Sequence, residues 1–206
     1  MKIGMDLSGV VFDSEKYYRV LSEIYDVSYL ERNSIINSRE KNYQQRYSWS
    51  PIEISDFQSK YDRIITETAN FMPGVKEVLT LLHNEGHELV VITARNGLNG
   101  EAIPITQKRF EEYGIAHLFH KCFWKTTDKV KVCKEEHIDI MIDDDNSICI
   151  SLSKAKIQTI YLKDAPSYEL SNNQYLTTLY NWGEIYRHIK SISANKWMVT
   201  ASKKYC

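Results

Sequence analysis

The sequence predicts an α/β protein: a Rossmann-like parallel sheet of about five strands flanked by helices, with a small helical cap inserted after strand 1. Three observations carry this. Short, nearly continuous apolar runs alternate with helical patterns, as in sheets buried on both faces. Two of those runs, Met5-Asp6-Leu7-Ser8-Gly9 and Met141-Ile142-Asp143-Asp144-Asp145, open onto carboxylates. Open α/β sheets bind ligands at the carboxyl ends of their strands. Finally, a long segment of different texture separates the first strand from the next clear one, Glu88-Leu89-Val90-Val91-Ile92-Thr93.

The elements follow in order. Lys2 to Leu7 reads as the first strand. From Glu15 to Val27 apolar residues recur at Tyr17, Val20, Leu21 and Ile24, the spacing of one helix face. Residues 31–49 are polar and rich in Asn, Arg, Gln and Tyr. Ser50-Pro51-Ile52-Glu53 then combines a capping box with proline at the first helical position, and Phe57, Tyr61, Ile64 and Ile65 continue that helix. The expected division is therefore a cap at 14–70 and an α/β core at 1–13 and 71–206. Pro73-Gly74 restarts the core, and Val75, Val78, Leu79 and Leu82 form a stripe that stops at Gly86. A helix over about 103–113 ends at Gly114. Strands are expected over 121–124, 138–142 and 159–162, with helices over 127–135 and 147–155. Asn181-Trp182-Gly183-Glu184 opens a final helix running to about Ile189.

Composition narrows the function classes. Hydrophobic residues make up 43% of the 206, charged residues 26%, and the formal net charge is -1, ordinary values for a soluble globular domain. No bulk charge recruits a nucleic-acid polymer or an anionic membrane. No apolar run reaches membrane-spanning length, and no signal peptide is expected, because an acidic residue arrives at position 6. The four cysteines, Cys122, Cys133, Cys149 and Cys206, show no CxxC or metal-finger spacing; Cys122 and Cys149 read as small buried hydrophobes. A reducing cytoplasm is the simplest setting. The six histidines show no ligand spacing such as HExxH.

Four segments at strand ends carry the chemistry: Asp6-Leu7-Ser8-Gly9, Thr93-Ala94-Arg95, the Lys129 region and Asp143-Asp144. In this order the pattern resembles the haloacid dehalogenase superfamily of phosphatases. Val91-Ile92-Thr93-Ala94-Arg95 together with Ile142-Asp143-Asp144 is similar to its 5'(3')-deoxyribonucleotidase branch. The resemblance covers residues 1–145 and implies a Mg2+-dependent hydrolase of a small phosphorylated metabolite, such as a nucleoside monophosphate, working as a monomer or homodimer. Asp6 would be the nucleophile and a metal ligand, forming an aspartyl-phosphate. Gly9 would let backbone amides approach the phosphoryl oxygens. Thr93 would offer its hydroxyl, Ala94 its amide, and Arg95 would contact substrate. Lys129 would neutralise charge between phosphate and Asp6, with Lys125 as the competing lysine. Asp143 would bind the metal directly, and Asp144 would bind a metal-bound water or brace Lys129. All these ligands are hard oxygens, so Mg2+ is expected.

Ser8 departs from the pattern. In the resembling enzymes the residue two beyond the nucleophile is an aspartate that protonates the leaving oxygen and then activates water. A serine hydroxyl cannot act as a base near neutral pH, whereas its backbone carbonyl can still bind metal. Three readings follow: a substrate with a good leaving group, a protein that binds a phosphorylated ligand or partner without efficient turnover, or an introduced substitution. If Ser8 is a missing acid-base residue, Ser8→Asp should raise hydrolysis of ordinary esters, most for poor leaving groups.

The cap is expected to cover Asp6 and to supply specificity. Tyr17, Phe57 and Tyr61, at helical spacing, read as cap core. Tyr43, Tyr47 and Trp49, in the polar stretch, read as candidates for stacking on a base or sugar. Arg46 has the chemistry to meet a phosphate or carboxylate. Asp13 either contacts substrate or caps the following helix.

Overall fold

The computed structural model describes residues 1–163 and 166–202; Cys206 lies outside them. Six strands form one parallel sheet: β1 (Lys2–Met5), β2 (Glu88–Ile92), β3 (Phe119–Phe123), β4 (Ile140–Asp143), β5 (Gln158–Leu162) and β6 (Leu176–Leu179), in the order β3-β2-β1-β4-β5-β6. β1 lies between β2 and β4, pairing Ile3 with both Leu89 and Ile140. The strand order therefore reverses at β1, the kind of switch point where such sheets open a crevice.

Helices cover both faces because the strands are apolar on both. Ile3, Met5, Leu89, Val91, Ile140 and Ile142 pack against α4 (Val75–Asn84), α5 (Ala102–Tyr113) and α8 (Trp182–Ser202). The alternate residues Val90, Ile92 and Met141 pack against α6 (Lys129–Glu135) and α7 (Asn146–Lys154) through Cys133 and Leu152. Trp182 is fully buried and its indole N–H donates to the Val10 carbonyl (2.9 Å), tying α8 to the loop after β1. Among the described residues, no helix is long and apolar enough to cross a membrane.

Between β1 and α4 lie α1 (Ser14–Ile24), a π-helical turn Tyr25–Tyr29, α2 (Tyr43–Arg46) and α3 (Pro51–Thr68). Ser50 and Glu53 make the expected reciprocal capping box at the start of α3. This segment has an aromatic cluster of its own, with Tyr25, Tyr47, Trp49 and Phe57 at its centre and Tyr18, Leu21, Tyr43 and Tyr61 around it.

The expected fold class stands with one strand added, and one helix face needs correction. The sheet has six strands rather than about five: β6 is a four-residue strand, Leu-Thr-Thr-Leu, at the sheet edge, half-exposed and too short and polar to show as an apolar run. The stripe expected on α1 is also rotated. Val20 is 57% exposed and Ile24 44%, while Tyr18, Leu21, Ser22 and Tyr25 face inward. Leu21 of the expected stripe packs inward, but hydroxyl-bearing side chains make up most of the rest of the buried face, so apolarity located only part of it.

Candidate active site

The site grows out of the carboxyl edges of β1, β2 and β4. Directly after β1, the Asp6 amide continues the ladder by donating to the Ile142 carbonyl (3.0 Å). The chain then turns tightly, the Leu7 carbonyl accepting from the amides of Val11 (2.9 Å) and Phe12 (2.8 Å). Gly9 makes this turn possible. Its φ is +72°, and a Cβ there would stand 2.0 Å from Asp144 Oδ2. Left-handed backbone costs a non-glycine residue about 1–2 kcal/mol before any clash. Gly9→Ala is thus expected to lower the melting temperature by about 2–8 °C and to weaken divalent-cation binding, because Asp144 must move. Thermal melts and Mn2+ titration check this; a variant unchanged in both would contradict it.

Lys129, the first residue of α6, sits between two carboxylates. Its Nζ is 2.9 Å from Asp6 Oδ1 and 2.7 Å from Asp143 Oδ2, and all three groups are buried. Burial works against the ammonium, yet Asp6 and Asp143 hold its pKa well above the usual lysine value. Burial pushes Asp143 and Asp144 upward, opposed by Lys129 at the first and Lys41 at the second. The other Asp143 oxygen accepts from the Asp145 amide (3.0 Å), which fixes its orientation. Lys125, in contrast, is exposed in a turn with φ +57°.

Asp6, Asp143 and Asp144 each offer an oxygen within 4.8 Å of the others. Three clustered, buried carboxylates are a donor set suited to a hard divalent cation such as Mg2+.

On the other side of Asp6, Arg95 donates to Ser8 Oγ (2.9 Å) and Thr106 Oγ1 (2.8 Å) and lies 5.0 Å from the Phe12 ring centroid. The Thr93 hydroxyl accepts from the Arg95 amide (3.3 Å), and the Thr93 carbonyl accepts from the Thr126 amide (2.9 Å). These groups line a cavity of about 470 Å³ between the sheet edge and the helical segment; Asp6, Ser8, Thr93, Ala94, Arg95, Lys129, Asp143 and Asp144 all contribute to its wall. Ser14 Oγ, buried on the same wall, has no hydrogen-bond partner among the described residues. An orphaned buried hydroxyl suits a polar ligand.

Other expected residues are placed elsewhere. Tyr47 is buried, stacked on Trp49 (4.4 Å between centroids) and hydrogen-bonded to Ser22 Oγ (3.2 Å). The Trp49 indole donates to Asp26 Oδ1 (2.8 Å). Buried Arg46 donates to Glu23 and to the Ser38 carbonyl. None of the three lines the cavity; all hold the helical segment together. Tyr43 does line it, while packing on Phe57. Asp13 pairs with Lys16 (2.8 Å) and, with Gly9, borders a neighbouring hollow of about 400 Å³ rather than the main cavity. It makes no side-chain capping bond to α1.

Three charged residues on the cavity wall carry no signal in the sequence. Lys41 Nζ pairs with Asp144 Oδ2 (2.9 Å). Glu15 lies beside them, its carboxyl pushed up to about 8 by burial first and by Asp144 second. Asp62 accepts from the Tyr18 hydroxyl (3.3 Å) and is raised by burial to about 6.

No family model matches the chain, and no curated protein sequence matches it either. Solved structures do. A predicted phosphatase from Clostridium acetobutylicum superposes with TM-score 0.65 at 16% identity, covering 92% of this chain and 98% of that one. A haloacid dehalogenase-like family hydrolase from Xanthomonas campestris gives 0.63 at 14% identity, over 95% and 96%. A haloacid dehalogenase-like family hydrolase from Streptococcus pneumoniae gives 0.55 at 16% identity, over 78% and 83%. The fold of this chain is that of the haloacid dehalogenase-like hydrolases.

Proposed function

We propose that the protein is a Mg2+-dependent phosphohydrolase of the nucleotidase-like type, acting on a small phosphorylated metabolite such as a nucleoside monophosphate. One observation carries the reading: Asp6 and Asp143 flank a buried lysine at the switch point of the sheet, with Asp144 beside them, at the wall of a cavity large enough for a nucleotide-sized ligand. The resemblance of the strand-end motifs and the fold of the neighbours support it.

In this reading Asp6 attacks phosphorus as the bond from phosphorus to the substrate's ester oxygen breaks and the alcohol leaves with a proton from solvent; water then attacks the aspartyl-phosphate, breaking its bond to Asp6 and releasing inorganic phosphate. Asp6, Asp143, Asp144 and the Ser8 carbonyl would hold Mg2+, which would supply withdrawal of charge from the phosphoryl oxygens. Lys129 stays charged throughout and neutralises the phosphoryl group beside Asp6. The Thr93 hydroxyl and the Ala94 amide donate to phosphoryl oxygens, whereas the Gly9 amide is committed to the Phe12 carbonyl (2.8 Å). Arg95 holds the Ser8 hydroxyl and presents positive charge to the rest of the substrate. The segment 14–70 acts as the cap over this site. Free Cys122, Cys133 and Cys149 agree with a cytoplasmic setting.

A panel of phosphorylated metabolites, run with Mg2+ and with a chelator, tests the reading. Turnover of at least one compound with Mg2+ alone is the expected result. Binding of a compound without turnover of any would replace the enzyme by a phospho-ligand binder, the outcome that Ser8 makes worth measuring.

A further inference from the structure

Lys41 reaches the sheet edge from the helical segment. Its ammonium donates to Asp144 Oδ2 (2.9 Å) and to the Asp144 carbonyl (3.0 Å), and its side chain is only 14% exposed. Asp144 is also one of the three carboxylates that form the candidate metal cluster. With a metal bound, one side chain would have to serve two cations. In a buried site the repulsion between an ammonium and a divalent ion sharing one carboxylate is weakly screened. The backbone around Lys41 is pinned: Glu40 Oε1 accepts from the amides of Lys41 (3.0 Å) and Asn42 (3.2 Å), and Asn42 caps α2. Only the flexible lysine stem has to move for the ammonium to leave Asp144.

We propose that Lys41 is the counter-ion of Asp144 before metal binds and a specificity-determining contact for the anionic substrate afterwards: the divalent ion displaces its ammonium, which then turns into the cavity to meet the anion. The inference rests on the metal-dependent reading of the site. It implies a two-way linkage. Metal and the Lys41–Asp144 pair oppose each other, whereas metal and anion support each other through Lys41.

Mn2+ binding followed by electron paramagnetic resonance, without phosphate, tests it in wild type, Lys41→Met, Lys41→Arg and Asp143→Asn. Lys41→Met should bind Mn2+ about tenfold more tightly than wild type, Lys41→Arg about as wild type, and Asp143→Asn weakly or not at all. With Mg2+ saturating, Lys41→Met should bind inorganic phosphate about tenfold more weakly. A merely structural role for Lys41 would lower the melting temperature of Lys41→Met without tightening Mn2+ binding. Unchanged or weaker Mn2+ affinity in Lys41→Met, with binding still lost in Asp143→Asn, overturns the Lys41 inference alone. Absence of Mn2+ binding by wild type, or indifference to Asp143→Asn, overturns the metal-dependent reading as well.

Discussion

Asp6→Asn should lower hydrolysis of the best substrate by on the order of 10⁴-fold or more, the scale seen when a covalent nucleophile is removed. An amide has nearly the same shape as a carboxylate but does not attack phosphorus and offers a far poorer metal ligand. The fold should survive, because Lys129 keeps Asp143 as its partner at 2.7 Å. The check is kcat/KM at saturating Mg2+ beside a thermal melt. Residual activity near wild type in a folded variant would place the nucleophile elsewhere.

Ser8→Asp should act in the opposite direction and raise turnover of ordinary phosphate esters by on the order of 10², the lower range for general acid-base help. The structure alters one part of this expectation. Arg95 already donates to Ser8 Oγ at 2.9 Å, so an introduced carboxylate would meet a guanidinium and be held ionised. An ionised carboxylate serves better as the base for water than as the acid for a leaving group. The gain should then appear in hydrolysis of the aspartyl-phosphate, and poor leaving groups should benefit less than the sequence alone suggests. Steady-state rates for an alkyl and an activated aryl phosphate, compared with single-turnover rates, separate the two steps. Equal rates for wild type and Ser8→Asp with both esters would contradict this account of position 8.

What could be read from the sequence depended on whether a residue's neighbours announced its position. Asp6 and Asp143 stand where apolar strands end, so the period of the chain located them. The sequence favours Lys129 over Lys125, and the two differ in place: Lys129 opens a helix beside Asp6 and Asp143, whereas Lys125 is exposed. With Asp128 as N-cap, accepting from the Lys131 amide, Lys129 becomes the first residue of α6 and its side chain reaches the sheet edge. Lys41 could not be found this way. It lies in an aperiodic polar stretch and its partner is 103 positions away. Tyr47 and Trp49 misled for a related reason. A helical segment without a sheet behind it builds its core from aromatics whose polar ends are satisfied internally, Trp49 by Asp26 and Tyr47 by Ser22. Surrounding polarity then marks hydrogen-bonded burial rather than exposure to ligand.

Asp6 is expected to carry a phosphoryl group during turnover. The most direct test is to quench the protein in acid after brief incubation with Mg2+ and an acyl phosphate, and to map any added phosphoryl mass by peptide mass spectrometry. A hydroxylamine-labile phosphoryl group is expected on the peptide containing Asp6, absent from Asp6→Asn. Turnover with no such adduct under single-turnover conditions, or an adduct on another residue that persists in Asp6→Asn, would contradict it.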